Sequence, residues 1–479
     1  MTALATLMPG FEGPELPAWV ERRLREGMGG VCLFATNVRS PEQLRALTDA
    51  IYAANPDAIV SIDEEGGDVS RLYQRDGSPF PGNALLGRID DEALSRAVGE
   101  QVGRELREVG VNLTLAPDVD VNSNPSNPVI GVRSFGADAA LVGRHGVAWT
   151  QGVQAMGVAA DAKHFPGHGD TAQDSHVSLP TVDADVQALR QRELAPFAAA
   201  IAGGVQTIMS SHIMVPALDP DNPATFSSAI LTDLLRAEMG FDGVIVSDAL
   251  DMVGASGEIG IPAAAARALA AGCDLLCIGT ANTDEQMGQI VAAIESAIAA
   301  GDLEASRVED AAARIGRLVR ELRATADPGP VAPEDRGAVA GLSAARIAQA
   351  FEITEAGRAR LAAIAAGESL PQWVRLEPAH NIAVGVSPWG PFAAGIEPVL
   401  TISPGGTVDL TALDPDRPVI VVGKDNHRHS WAREAIDQLR ERDALVVDMG
   451  WPDPSQPYAD ISTFGASRLV GEALAEILP

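Results

Sequence analysis

Short apolar runs alternate with longer amphipathic stretches through the first two thirds of the chain. Runs at 5–8, 30–34, 59–62, 112–116, 158–162, 207–210, 243–247 and 274–278 read as strands. The stretches 14–26, 41–54, 90–109, 139–156, 183–202, 231–239, 261–271 and 283–299 read as helices. Strand followed by helix, eight times in roughly 320 residues, fits the size of a (β/α)8 TIM-type barrel. A doubly wound open sheet carries the same alternation, so periodicity alone leaves both architectures open.

A helix over 304–325 completes this first region, 1–325. Residues 326–342 begin with the Pro- and Gly-containing stretch of a linker. The pattern then restarts, with a helix over 343–366, strands at 381–386, 418–423 and 444–449, and helices at 431–440 and 467–477. Residues 343–479 are therefore expected to form a smaller α/β domain of flavodoxin-like layering.

Charge narrows the partners. A formal net charge of −30 argues against nucleic acid and against anionic membrane surfaces. The first ten residues lack the basic start, apolar core and cleavage site of a signal peptide, and no run reaches membrane-spanning length, so a cytoplasmic location is expected. Cys32, Cys273 and Cys277 lie in or beside apolar runs and read as buried free thiols with no functional role.

The chemistry concentrates where the fifth strand ends. Lys163-His164-Phe165-Pro166-Gly167-His168-Gly169-Asp170-Thr171-Ala172-Gln173-Asp174-Ser175-His176 holds three histidines, two aspartates and a lysine. Lys163 and Lys424 are the only lysines among 35 basic residues, so a lysine in this loop calls for a specific reason. Other predicted strands lead into Asp63-Glu64-Glu65-Gly66-Gly67 with Arg71 beyond, Asp118-Val119-Asp120 with Arg133 beyond, Ser211-His212, and Ser247-Asp248-Ala249-Leu250. Strand ends are where parallel α/β enzymes keep their sites. Carboxylates, arginines, a lysine and histidines meeting there suit a neutral, hydroxyl-rich ligand, with one carboxylate for covalent work.

These same stretches, with Gly131-Val132-Arg133-Ser134-Phe135-Gly136, resemble glycoside hydrolase family 3 and, within it, the β-N-acetylglucosaminidase branch. The resemblance implies Asp248 as nucleophile, His176 as acid/base oriented by Asp174, and Asp63, Arg71, Arg133, Lys163 and His164 around the sugar. It implies a retaining exo-acting hydrolase of peptidoglycan- or chitin-derived oligosaccharides, with no cofactor. One departure is visible: Asp68 stands where the family usually carries arginine, which puts the local salt bridging in question. A histidine that has given up its proton is neutral, so phosphate could replace water as acceptor and the same site could act as a phosphorylase. Two other readings compete: a metal-dependent hydrolase, with His164, His168, Asp170, Asp174 and His176 as ligands, and a sugar-binding protein without turnover. Arg71 and Arg133 could instead be ion-pair partners of Asp63, Glu64 and Glu65, and Glu64 or Glu65 could serve as acid. Lys424, Asp425, Asn426 and His427 form a further polar strand end with no mechanism attached.

Overall fold

The computed structural model describes residues 3–173, 179–257, 259–326, 328–379, 383–456 and 458–478. Eight strands form the first sheet: β1 (Leu7–Met8), β2 (Gly30–Leu33), β3 (Ile59–Ile62), β4 (Leu113–Thr114), β5 (Ala159–Phe165), β6 (Thr207–Ser210), β7 (Val244–Ser247) and β8 (Leu275–Cys277). Every pairing is parallel, in the order β1-β8-β7-β6-β5-β4-β3-β2. A bond from Cys32 N to Pro9 O (3.0 Å) brings the two edges together. The chain therefore takes the barrel alternative rather than the open sheet.

Alternation along the strands divides the apolar side chains into two cores. Met8, Cys32, Ile59, Leu113, Ala159, Met209, Val246 and Cys277 fill the barrel interior. Ile315, Leu318, Val319 and Leu322 of the helix Ala305–Ala324 join that cluster against the first residues of β3, β4, β5 and β7, sealing the N-terminal end. The larger core lies between the strands and the surrounding helices. Helix starts follow the expected capping chemistry: Ser40, Asp91, Asp138 and Thr283 each accept a backbone N–H from the first turn of their helices.

The second sheet contains β9 (Glu352–Ile353), β10 (Gln372–Leu376), β11 (Leu400–Ile402), β12 (Val419–Gly423), β13 (Leu445–Asp448) and β14 (Ile461–Ser462). Its order is β11-β10-β12-β13-β14-β9, parallel except for β9 against β14. Two expectations are corrected here. The helix expected over 343–366 is two helices, Ala344–Ala348 and Glu355–Ala366, separated by β9, because Thr354 caps the second through Gly357 N (2.9 Å). The strand expected at 381–386 is β10 instead; residues 383–386 form a turn and loop, and 380–382 lie outside the described residues.

The two sheets belong to domains in direct contact. Arg346 pairs with Asp91 (2.6 Å), Arg88 donates to Ala350 O (2.9 Å), and Arg428 donates to Asn127 O (3.0 Å). Arg336 pairs with Glu108 (2.6 Å) in the connecting segment. All three cysteines are buried free thiols. Among the described residues, no helix is long and apolar enough to cross a membrane.

The barrel wall stores a pH dependence. Burial on β5 pushes the Asp161 carboxyl up to about 8, against the pull of Thr207 and Lys163. A carboxyl whose folded pKa is raised binds its proton more tightly in the native state, so stability falls as pH rises between the unfolded value, about 4, and that folded value. Asparagine resembles the protonated acid and does not titrate. Asp161→Asn should therefore flatten the loss of stability between pH 5 and pH 8 by a few kcal/mol, measured by urea unfolding at each pH. An unchanged slope would show that Asp161 is not its source.

Candidate active site

At the C-terminal ends of the barrel strands lies a pocket of about 310 Å³, at the lower end of the usual range for small-molecule sites, roughly 300–1,000 Å³. Its floor is apolar, with Cys32, Leu115, Met209 and Cys277 among the lining residues. Cys32 and Cys277, expected to have no role, thus contribute surface to the site. Its walls are charged.

Chain direction explains which groups face inward. Side chains alternate beyond the end of β3, so Asp63 and Glu65 line the pocket while Glu64 turns away. Glu64 Oε2 accepts from Ser70 Oγ, Arg71 N and Leu72 N, each at 3.0 Å, and so shapes the loop that presents Arg71. Strand β5 continues through Phe165, which places Lys163 and His164 on the rigid sheet rather than in the loop after it.

Lys163 Nζ lies 2.9 Å from both Asp63 Oδ1 and Glu65 Oε1. Arg133 grips Glu65 through Nε (3.0 Å) and Nη2 (2.8 Å), a two-bond geometry that only a planar guanidinium provides. Arg71 Nη2 is 3.5 Å from Asp63 Oδ2, and the same guanidinium donates to the carbonyls of Ala383 (2.7 Å) and Val384 (3.2 Å) in the C-terminal domain. His164 Nδ1 is 2.7 Å from Asp120 Oδ2, while Arg133 Nη2 is 3.4 Å from His164 Nε2. Since arginine can only donate, the ring proton belongs on Nδ1, directed at Asp120.

The charges are mutually enforced. Burial works to raise the Asp63 carboxyl, but Lys163 and Arg71 outweigh it and hold the group below the usual range. Glu65 goes lower still, burial being overcome by Arg133 and Lys163. Burial likewise opposes the Lys163 ammonium, and Asp63 and Glu65 reverse it and raise the value. Asp118 behaves oppositely: burial and then the charge of Asp120 push it well above the usual range, against the pull of Arg133.

Asp248 follows β7 directly and lines the same pocket, half-buried. Its Oδ1 accepts from Ala249 N (2.7 Å). His212 Nε2 is 3.1 Å from Ala249 O and its Nδ1 is 2.9 Å from Thr225 Oγ1, so this histidine braces the turn that aims the carboxylate. Asp174 and His176 lie outside the described residues.

Asp63, Arg71, Arg133, Lys163, His164 and Asp248 therefore line one pocket. The ion-pair reading of the two arginines is also met, since both pair with pocket carboxylates. Neither glutamate is placed to act as an acid: Glu65 is clamped ionised, and Glu64, though pushed up to about 7 by burial, is turned into its own loop. Among the described residues, His164, His168 and Asp170 of the expected metal set form no common cluster; Asp174 and His176 lie outside them. His168 Nδ1 meets Thr171 Oγ1 (2.8 Å) and Asp170 pairs with Arg192 (2.5 Å). Asp118, Asp120 and His164 do cluster, but Arg133 stands 3.7 Å from Asp118 and supplies the positive charge there. Asp120 was not singled out from the sequence; its signal was its position two residues after Asp118, on the same side of an extended segment.

Comparison with known proteins identifies the family. Residues 17–318 match the model of the glycosyl hydrolase family 3 N terminal domain. Beta-hexosaminidase A of Pseudoalteromonas piscicida is 37% identical over 334 residues, which cover 64% of this chain and 55% of that protein. The chain thus spans about half the length of that relative. The beta-hexosaminidase of Alkalilimnicola ehrlichii is 38% identical over 285 residues, covering 57% of this chain and 80% of that one. A glycoside hydrolase family 3 beta-N-acetylglucosaminidase from Paenibacillus sp. str. FPU-7 superposes with a TM-score of 0.87 at 30% identity, over 99% of this chain and 95% of that one. The barrel, the charged pocket at its strand ends and the sequence match across 17–318 place the chain in glycosyl hydrolase family 3.

Proposed function

We propose that the protein is a retaining exo-β-N-acetylglucosaminidase that removes terminal β-linked N-acetylglucosamine from peptidoglycan- or chitin-derived oligosaccharides. The observation that supports this most is the placement of Asp248 in one pocket with Asp63, Lys163, Arg71, Arg133 and His164. The N-acetyl preference is supported by the names of the relatives, beta-hexosaminidase and beta-N-acetylglucosaminidase.

In this reading the fixed charges hold the sugar. Ionised Asp63 accepts from hydroxyls, and Lys163, Arg71 and Arg133 donate, all within a frame that need not reorganise when substrate enters. Asp248 attacks the anomeric carbon as the glycosidic bond breaks, giving a glycosyl-aspartate. His176, assigned as the acid with Asp174 as its aid, protonates the departing oxygen; an unperturbed histidine, with a pKa of about 6.5, supplies such a proton near neutral pH. Neutral His176 then takes a proton from water, which attacks from the side the leaving group vacated, so configuration is retained.

The test compares aryl β-N-acetylglucosaminide with aryl β-glucoside, each with and without inorganic phosphate. Hydrolysis of the first, at least about tenfold faster than the second and indifferent to phosphate, is the expected result. Equal rates on the two sugars would overturn the N-acetyl assignment, and sugar 1-phosphate as product would replace hydrolysis with phosphorolysis.

A further inference from the structure

Asp248 stands on the turn that follows β7, and neighbouring strands hold that turn from both sides. From the β6 side, His212 Nε2 meets Ala249 O (3.1 Å). From the β8 side, Leu250 N donates to Cys277 O (2.9 Å), which extends the pairing of β7 with β8 past the end of β7. A further link on that side is made by a side chain. Asp251 Oδ2 accepts from Thr280 N (3.0 Å), with Thr280 Oγ1 at 3.5 Å, and so joins the turn to the loop after β8.

Room for this link depends on Gly279. Its φ is +127°, a region that favours glycine, and a Cβ there would overlap the Asp251 carboxylate. The loop is fixed on its far side as well. Gly10 N donates to Gly279 O (2.8 Å), and Asn282 Nδ2 reaches both Gly279 O (2.8 Å) and Gly10 O (3.1 Å) just past β1. The carboxylate of Asp251 is therefore tied to a braced support. Asp251 and Thr280 are both exposed at the rim of the sugar pocket that Asp248 also lines. An exposed hydrogen bond adds little to global stability, so what this one fixes is the direction of the turn.

We propose that Asp251 is a positioning residue for Asp248, holding the turn so that the nucleophilic carboxylate stays on its line of attack. The proposal rests on the glycosidase reading above, in which Asp248 attacks the anomeric carbon. Attack tolerates little error: a displacement of about 1 Å can cost roughly a hundredfold in rate. Asp251 acts here through its acceptor oxygen. Its charge is the competing explanation, because a second carboxylate at the pocket would also favour an oxocarbenium-like transition state. The bond to Thr280 N favours the tether, and exposure at the rim screens the charge. Asparagine separates the two, since it keeps the acceptor and removes the charge.

The experiment measures kcat and KM on an aryl β-N-acetylglucosaminide for wild type, Asp251→Ala and Asp251→Asn, with thermal unfolding of each. Asp251→Ala should lower kcat by roughly ten- to a hundredfold, while KM changes less than about threefold and Tm by no more than about 2 °C. Asp251→Asn should recover most of the lost kcat. Wild-type kcat in Asp251→Ala would overturn the proposal. An asparagine variant as impaired as the alanine one would also overturn it, assigning the effect to charge. A rise in KM at unchanged kcat would make Asp251 a substrate contact instead, and a fall in kcat matched by a large fall in Tm would leave it a structural role only. Failure of the underlying reading looks different. It shows as no turnover by wild type, or as wild-type turnover in Asp248→Asn, and either result sinks both; loss in Asp248→Asn with none in Asp251→Ala sinks this proposal alone.

Discussion

Asp248→Asn should lower kcat on an aryl N-acetylglucosaminide by about 10⁴-fold or more, the scale on which removal of a nucleophile acts. The fold should survive, because the amide oxygen of asparagine can still accept from Ala249 N where Oδ1 accepts now. KM should change little, since the proposed function assigns hydroxyl binding to Asp63, Lys163 and the arginines rather than to Asp248. A capping carboxylate at a strand end would give the opposite pattern, a loss of stability with kcat preserved. Asp248→Gly makes the assignment chemical. Azide can enter the vacated space and attack the same face of the sugar, so α-glycosyl azide should accumulate as turnover returns. Azide without effect, together with wild-type kcat in the asparagine variant, would remove Asp248 from the mechanism.

Lys163→Met should be the most damaging substitution for stability among the charged residues of the pocket. Lys163 is buried between Asp63 and Glu65, and deleting one member of a buried ion network leaves carboxylates without compensation, a cost of about 3–5 kcal/mol. Glu65 would retain Arg133 at 2.8 Å, but Asp63 would be left with Arg71 at 3.5 Å. The sign of the pH dependence follows from the directions of the shifts. Asp63 and Glu65 are lowered, so their contribution is present above the unfolded values, about 4, and is lost as pH falls through the folded ones. Lys163 is raised, so its contribution is complete below the unfolded value, about 10, and is lost as pH rises through the folded one. Wild type and variant should therefore differ most between about pH 5 and 10 and converge outside that window. Urea midpoints across pH would measure this, and a difference independent of pH would show that packing rather than charge is responsible.

The barrel strands were readable because each is a short run of apolar residues. Expected bounds matched β3 and β6, and missed elsewhere by a few residues at the ends. The second domain was harder. Gln372-Trp373-Val374-Arg375-Leu376 is interrupted by polar residues, whereas 381–386 looks more apolar yet ends in a turn and loop. Gln372 is satisfied by Asp414 N and by the carbonyls of Asp414 and Arg417, partners that no local pattern announces. The site was legible through its motifs, since Lys163, Arg133 and Asp248 each stand in a recognisable stretch. Its internal wiring was not. Which of Asp63, Glu64 and Glu65 face inward follows from alternation past β3, but that Arg133 chooses Glu65 depends on the path of a distant loop. The acceptors for Arg71 are backbone carbonyls, which leave no trace in side-chain identity.

Those two carbonyls, of Ala383 and Val384, tie an arginine of the barrel pocket to the C-terminal domain. They position an arginine that faces the sugar pocket, and Ala383 lines that pocket as well. A sugar that prefers Arg71 in this position must tighten the docking of the C-terminal domain by the same free energy with which docking tightens the sugar, because linkage is reciprocal. The barrel pocket is therefore braced in part from outside the barrel. Severed from its companion, the barrel would keep Asp248 but lose the restraint on Arg71, and under the proposed function its affinity would become a property of the join between domains.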